Sequence, residues 1–175
     1  MKTMSKSRTS SGGFTLVELV AVLTIVAIFA GAASLSLRGP RQAARLESAV
    51  ERLTMVDRQL REHARHYGRS EQLTICPNTG RIAAVAHDGR KTPIAPFQLD
   101  GRVIEQVAIG ERRSDCDEVT IDYTGQGRSA TFAVRLRGPE GKSHWLLFAG
   151  ATGQMVRIED EKTVEELLSL ARDKV

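Results

Sequence analysis

Glu18 is the one ionisable residue among the 24 residues from Phe14 to Leu37, of which 18 are apolar. A lone carboxylate in such a run costs about 2.5–3.5 kcal/mol at mid-depth in a bilayer, so it needs either a shallow position or a cation. Two readings of its chemistry follow from the residues alone. In the first, Glu18 sits at the membrane interface in the first turn of a helix, where the positive end of the dipole favours a carboxylate. In the second, the chain is cut ahead of Phe14, and the new α-amino cation of another copy pairs with Glu18 as copies assemble. The small residues Ser10, Ser11, Gly12 and Gly13 lie before the apolar run, the reverse of a secretory signal peptide. Cleavage there would leave the hydrophobic helix on the mature chain.

Other residue types carry less. Cys76 and Cys116 form no C-x-x-C pair and have no histidine at zinc spacing. In an oxidising compartment a disulfide between them would close a loop of about 40 residues and stabilise the fold by about 4 kcal/mol on the chain-entropy model. Two buried free thiols are the alternative. His63 and His66 stand three apart on a predicted helix, a spacing that can chelate a metal, but no third ligand is evident and a solvated basic face is expected. Asp115, Asp117, Glu118 and Asp122 gather around Cys116 without a defined calcium-ligand pattern. Gly141-Lys142-Ser143 echoes the end of a phosphate loop, but Leu136 stands where the earlier glycine is required and Trp145–Phe148 reads as strand, so a hairpin turn is expected. There is no G-x-S-x-G elbow and no H-E-x-x-H helix. The sequence predicts no catalytic residue, no cofactor and no metal site.

A chain of 175 residues fits one ordinary domain plus an appendage. Its formal charge of +4 is concentrated at the start, where Lys2, Lys6 and Arg8 precede the apolar run with no acid among them; without residues 1–13 it falls to +1. With no Lys/Arg run interleaved with aromatics, nucleic-acid binding is not expected. The basic leader favours a cytoplasmic amino terminus, although Arg38, Arg41 and Arg45 blunt the asymmetry.

The elements that must hold these residues follow from periodicity. As a helix, the 24 residues from Phe14 would reach about 36 Å, enough to span a hydrocarbon core of about 30 Å. From Arg41 the pattern turns amphipathic: Leu46, Ala49, Val50, Leu53, Val56, Leu60, Ala64 and Tyr67 recur at helical spacing, which predicts a helix over 41–67 ended by Gly68. Gly39-Pro40 is expected to kink or loosen the junction. Strands are predicted at 72–76, 81–86, 102–108, 118–123, 130–137, 144–148 and 154–158, as antiparallel hairpins whose sheet covers Leu53 and Leu60. In the tail, Thr163-Val164-Glu165-Glu166 fits a capping box, and Val164, Leu167, Leu168 and Ala171 share one face, so a terminal helix is expected.

Gly13-Phe14-Thr15-Leu16-Val17-Glu18, followed by Leu19-Val20-Ala21-Val22-Leu23, resembles the class III signal of type IV pilins and type II secretion pseudopilins. The order of a long helix and then a small sheet resembles the pilin fold, an α+β architecture. The second half is most similar to H-class (GspH/FimT-like) minor pseudopilins. It carries Asp122-Tyr123-Thr124-Gly125-Gln126-Gly127-Arg128-Ser129 leading into Thr131–Leu136, then Trp145–Phe148 and Thr152-Gly153-Gln154-Met155-Val156. The tail after Ile158 departs from that pattern.

The resemblance implies the following organisation: a leader over 1–13, a transmembrane and filament-core helix over 14–38, an amphipathic helix over 39–68, an antiparallel β-rich domain over 69–159 and a helical extension over 160–175. It further implies that a prepilin peptidase cuts after Gly13 and N-methylates Phe14, and that Glu18 supports subunit registration. The expected partners are other pseudopilins or pilins in a filament, the peptidase and methyltransferase, an inner-membrane assembly platform and, before assembly, membrane lipid. The expected location is the bacterial inner membrane, crossed once, with the carboxy-terminal domain periplasmic. A minor pilin of a DNA-uptake or adhesion filament would share this amino terminus, and a monomeric membrane-anchored binding domain would share the span but not the processing.

Overall fold

The computed structural model describes residues 15–36, 38–86, 92, 94–99 and 103–172, with the side chains of 32–40 and 140 outside the description. The chain divides into two compact units, Met1–Arg38 and Gly39–Val175. In the first, helix α1 runs Leu16–Ser36. Its described side chains are exposed throughout, including Leu16, Val17, Val22 and Phe29.

Helix α2, Arg38–Tyr67, belongs from Gly39 onward to the second unit and starts three residues ahead of the predicted position. Gly39 and Pro40 fall in its first turn, where a proline removes no intrahelical hydrogen bond. At the other end Gly68 takes φ +61°, and the Arg69 amide reaches back to the Ala64 carbonyl at 3.1 Å, a Schellman closure.

Nine strands follow among the described residues: β1 Glu71–Cys76, β2 Arg81–Ala86, β3 Phe97–Gln98, β4 Ile104–Ile109, β5 Arg112–Ser114, β6 Val119–Tyr123, β7 Phe132–Arg137, β8 Ser143–Phe148 and β9 Met155–Ile158. Helix α3, Glu161–Arg172, ends the described chain. The strands form two sheets, ordered β3-β2-β1-β6 and β5-β4-β7-β8-β9, and every pairing is antiparallel. The seven predicted strands are all present; β3 and β5 are additional. β5 hairpins onto β4 through Gly110-Glu111, with Gly110 at φ +56°.

One core joins α2 to the inner faces of both sheets. Leu46, Ala49, Leu53, Val56, Leu60 and Ala64 of α2 are buried against Leu73, Ile75, Ile121, Val134, Leu136 and Leu146, among others. The expectation that a sheet covers Leu53 and Leu60 therefore holds, while Tyr67 is exposed and packs on His63, ring centroids 4.5 Å apart. Phe132 and Phe148, directly opposed on β7 and β8, stack at 4.7 Å. A second, smaller core lies on the outer face of the five-stranded sheet, where Val164 and Leu168 of α3 meet Ala108, Ala133, Trp145 and Leu147.

Candidate functional site

At the amino end, Thr15 caps α1. Its Oγ1 accepts the Glu18 amide at 3.3 Å, and its carbonyl oxygen lies 3.0 Å from the same nitrogen. Glu18 thereby occupies the third position of the helix, where the unpaired amides and the dipole favour a carboxylate. The capping role of Thr15 was legible in the T-x-x-E spacing and was missed in reading the sequence. Within α1, the Thr24 hydroxyl is satisfied by the Val20 carbonyl at 2.8 Å, so it needs no solvent partner. Gly13 and Phe14, the predicted cleavage and methylation positions, lie outside the described residues, as do the leader and Leu37. Among the described residues no helix is long and apolar enough to cross a membrane. The described side chains of α1 extend only to Gly31, a rise of about 24 Å.

The Asp122–Ser129 segment that carried the subclass resemblance has a definite task. It receives the charged residues of α2. Asp57 and Arg61 interrupt the apolar stripe of that helix and are almost wholly buried, 2% and 3% exposed. Arg61 Nε donates to Asp57 Oδ2 at 2.8 Å, Nη1 donates to the carbonyls of Gly127 and Gly150 at 3.1 and 2.7 Å, and Nη2 donates to Ser129 Oγ at 2.9 Å. Tyr123 Oη donates to the other oxygen of Asp57 at 2.8 Å. Burial, reinforced by the Asp57 carboxylate, pushes the Tyr123 phenol far above its usual range, so it remains a donor. One turn on, Arg65 Nε donates to the Gln126 carbonyl at 3.1 Å.

These contacts explain the glycines. A Cβ on Gly127 would lie 2.7 Å from the Arg61 carbonyl oxygen, and one on Gly153 would lie 2.8 Å from the Arg61 side chain. A Cβ on Gly125 would lie 2.7 Å from the Gly68 backbone. The constellation is closed and internally paired. It fastens α2 to both sheets, and its chemistry is that of a buried ion pair. The signal in the sequence was the Asp57/Arg61 pair, four apart on the stripe between Leu53 and Ala64, a place where unpaired charge is not tolerated.

The other candidates separate. Cys76 is a half-buried free thiol whose Sγ lies 3.7 Å from Glu118 Oε2, and Cys116 is an exposed free thiol. Neither is the buried thiol of the alternative reading. Partial burial and then Glu118 raise the Cys76 thiol pKa, while Asp115 raises that of Cys116, so neither is activated as a thiolate. His63 Nδ1 lies 2.8 Å from Glu71 Oε1, and His66 packs edge-on to Tyr67 at 4.7 Å. The acidic residues do not converge: the Asp117 backbone is tied to Ser114 Oγ, Glu118 faces Cys76 and Asp122 accepts from Gln72 at 2.7 Å. Gly141-Lys142-Ser143 belongs to the β7–β8 hairpin, where a single 3-10 turn, Pro139–Gly141, closes with the Lys142 amide on the Pro139 carbonyl.

The capping box placed at Thr163 is corrected. α3 starts at Glu161, and its cap is Asp160, whose Oδ2 accepts the Thr163 amide at 3.0 Å and hydroxyl at 2.8 Å. These bonds lower the Asp160 carboxyl pKa. A carboxylate outcompetes a hydroxyl here because it also faces the positive helix end.

Residues 8–34 match the prokaryotic N-terminal methylation motif. The type II secretion system protein H of Pseudomonas aeruginosa is 31% identical over 154 residues, covering 77% of this chain and 88% of that protein. No solved structure matches. With its methylation motif, its pilin-like order of elements and this likeness across most of its length, the chain belongs to the type IV pilin and pseudopilin superfamily and to its family of H-class type II secretion pseudopilins.

Proposed function

We propose that the chain is a minor subunit of a type II secretion pseudopilus and supports protein export by polymerising. Prepilin peptidase removes residues 1–13, Phe14 becomes the N-methylated terminus, and α1 waits in the inner membrane with the second unit periplasmic. On assembly the apolar side chains of α1 move from lipid into a bundle of neighbouring helices, and Glu18 meets the amine of another subunit. Enzymatic activity has no place in this scheme.

The observation that carries the reading is α1 itself: a capped helix with a carboxylate in its first turn and exposed side chains from Leu16 to Phe29, lying inside the segment that matches the methylation motif. Apolar surface of that extent requires lipid or protein cover. Mass spectrometry of the protein from cells tests it. The expected mature terminus is N-methylated Phe14; an intact Met1, or a cut beyond residue 30, would remove the assembly scheme and leave a membrane-anchored monomer.

A further inference from the structure

The chain crosses from the five-stranded sheet to the four-stranded one through residues 115–118, between β5 and β6. Cys116 lies within that crossing and is exposed. Cys76, the chain's one other cysteine, is the last residue of β1, the strand that β6 joins once the crossing is made. The ladder ends with Ile75 opposite Val119, so the next step sets Cys76 against Glu118, and the 3.7 Å approach of Cys76 Sγ to Glu118 Oε2 shows their side chains on one face. Side chains alternate along a strand, so two further residues back along the line of β6 bring Cys116 to that same face, diagonal to Cys76.

Diagonal partners in an antiparallel pair stand about 7–8 Å apart, and a disulfide needs a Cα separation of about 4.4–6.8 Å. The crossing can supply the difference. Residues 115–118 belong to no strand, and the two bonds between Ser114 Oγ and the Asp117 backbone tie the turn only to its own start. The acidic surroundings also bear on the chemistry. Partial burial and then Glu118 raise the Cys76 thiol pKa, and Asp115 raises that of Cys116. Thiolates are disfavoured at both positions, and a thiol of high pKa is a poor leaving group, so a bridge between the two resists opening by an attacking thiol.

We propose that Cys76 and Cys116 form an intramolecular disulfide that pins the crossing between the sheets to the end of β1. It rests on the periplasmic placement of the second unit only for its oxidant, an external disulfide such as oxidised glutathione or that of a thiol oxidase. The exposed Cys116 loses its proton and attacks that disulfide, forming a mixed disulfide and releasing one external thiol. Cys76, deprotonated in turn, attacks Cys116 Sγ and expels the second. Two protein thiols are oxidised, one external disulfide is reduced to two thiols, and the protons end on them. The closed loop of about 40 residues holds β2 to β5, strands of both sheets, so reduction should lower the melting temperature by about 5 °C or more.

The test uses the full chain in detergent micelles. Reduced protein is incubated with oxidised glutathione, unfolded, alkylated with a maleimide and weighed. The expected product carries no adduct, is lighter than the reduced chain by the two thiol hydrogens, and yields a linked pair of peptides bearing Cys76 and Cys116. Cys116→Ser should instead carry one adduct, at Cys76. A chain that stops at glutathione adducts, that links either cysteine to a second copy, or that melts at the same temperature bridged and reduced overturns the proposal. Protein taken from cells and alkylated before any reduction tests the compartment separately. Full alkylation there, with the bridge still formed by glutathione in the tube, upholds the pairing and refutes the periplasmic placement.

Discussion

The phenol of Tyr123 on β6 and the carboxylate of Asp57 on α2 are joined by a 2.8 Å hydrogen bond inside the core, and the opposite oxygen of that carboxylate holds Arg61. Each group makes the others tolerable. Asp57 without Arg61 is an uncompensated buried charge, and Arg61 without Asp57 has only carbonyl and hydroxyl partners.

Truncating this cluster should be graded. Arg61→Ala strands the Asp57 charge and should cost about 3–5 kcal/mol of unfolding free energy, whereas Tyr123→Phe removes one donor and should cost about 1–3 kcal/mol. Urea denaturation of the segment from Gly39 onward measures both, and equal losses would show that the charge is solvated when Arg61 is gone.

Glycine substitutions distinguish close approach from backbone strain. Gly110 has φ +56° and open space around its Cβ direction, so Gly110→Ala carries only the left-handed penalty of about 1–2 kcal/mol. Gly125→Ala would drive a methyl to 2.7 Å from the Gly68 carbonyl carbon and oxygen, where no side chain can yield. It should lower the melting temperature more than Gly110→Ala, and the reverse order would mean that the helix end moves freely away from the β6–β7 loop.

Glu105 gives the stability a pH dependence. It sits at a β-bulge between Ile104 and Gln106, accepting from Arg137 at 2.7 Å and Ser143 at 2.6 Å, with Arg135 3.3 Å away. Burial pushes its carboxyl pKa up, but the Ser143 and Arg137 hydrogen bonds and the two cations outweigh burial and hold it below the ordinary range. A folded-state value below the unfolded one means the stabilisation is complete above the unfolded carboxylate pKa and disappears as pH falls through the folded value. Glu105→Gln should therefore melt earlier than wild type at neutral pH, and the two curves should converge in acid. A difference that persists at pH values below the folded carboxylate range would assign the effect to shape and not to charge.

Glu18→Ala tests the amino-terminal role. If a neighbour's amine pairs with this carboxylate in the filament, its loss costs about 3–5 kcal/mol per subunit placed, enough to reduce incorporation sharply while the second unit melts unchanged. Cells making mutant and wild type at matched abundance should show the difference in sheared pseudopili; equal incorporation would leave Glu18 with only its place beside the Thr15 cap.

Local periodicity made most of the architecture readable. The stripe from Leu46 to Ala64 announced α2, and strands bounded by Gly, Pro, Asn and Asp appeared close to where alternation placed them. What escaped was whatever depends on a distant partner. Asp57 and Arg61 stand on the buried stripe, but their partners are invisible locally, because the carbonyls that receive the guanidinium belong to Gly127 and Gly150, far along the chain. β5 escaped because three residues, two of them arginine, show no alternation worth reading. The start of α3 was misplaced because Asp160 and Thr163 offer competing caps, and only the hydrogen bonds decide between them.

Strand β1 pairs on one side with β2, its immediate successor, and on the other with β6, so that Glu71 lies opposite both Ala86 and Tyr123. Synthesised amino end first, the polypeptide presents its long helix and opening hairpin well before residue 119 exists to complete their sheet. Until then the greasy flank of that helix has no lasting shelter. Any factor that handles the nascent chain must accommodate this delay, and the domain closes only after β8, whose Leu146 and Phe148 complete the core, has emerged.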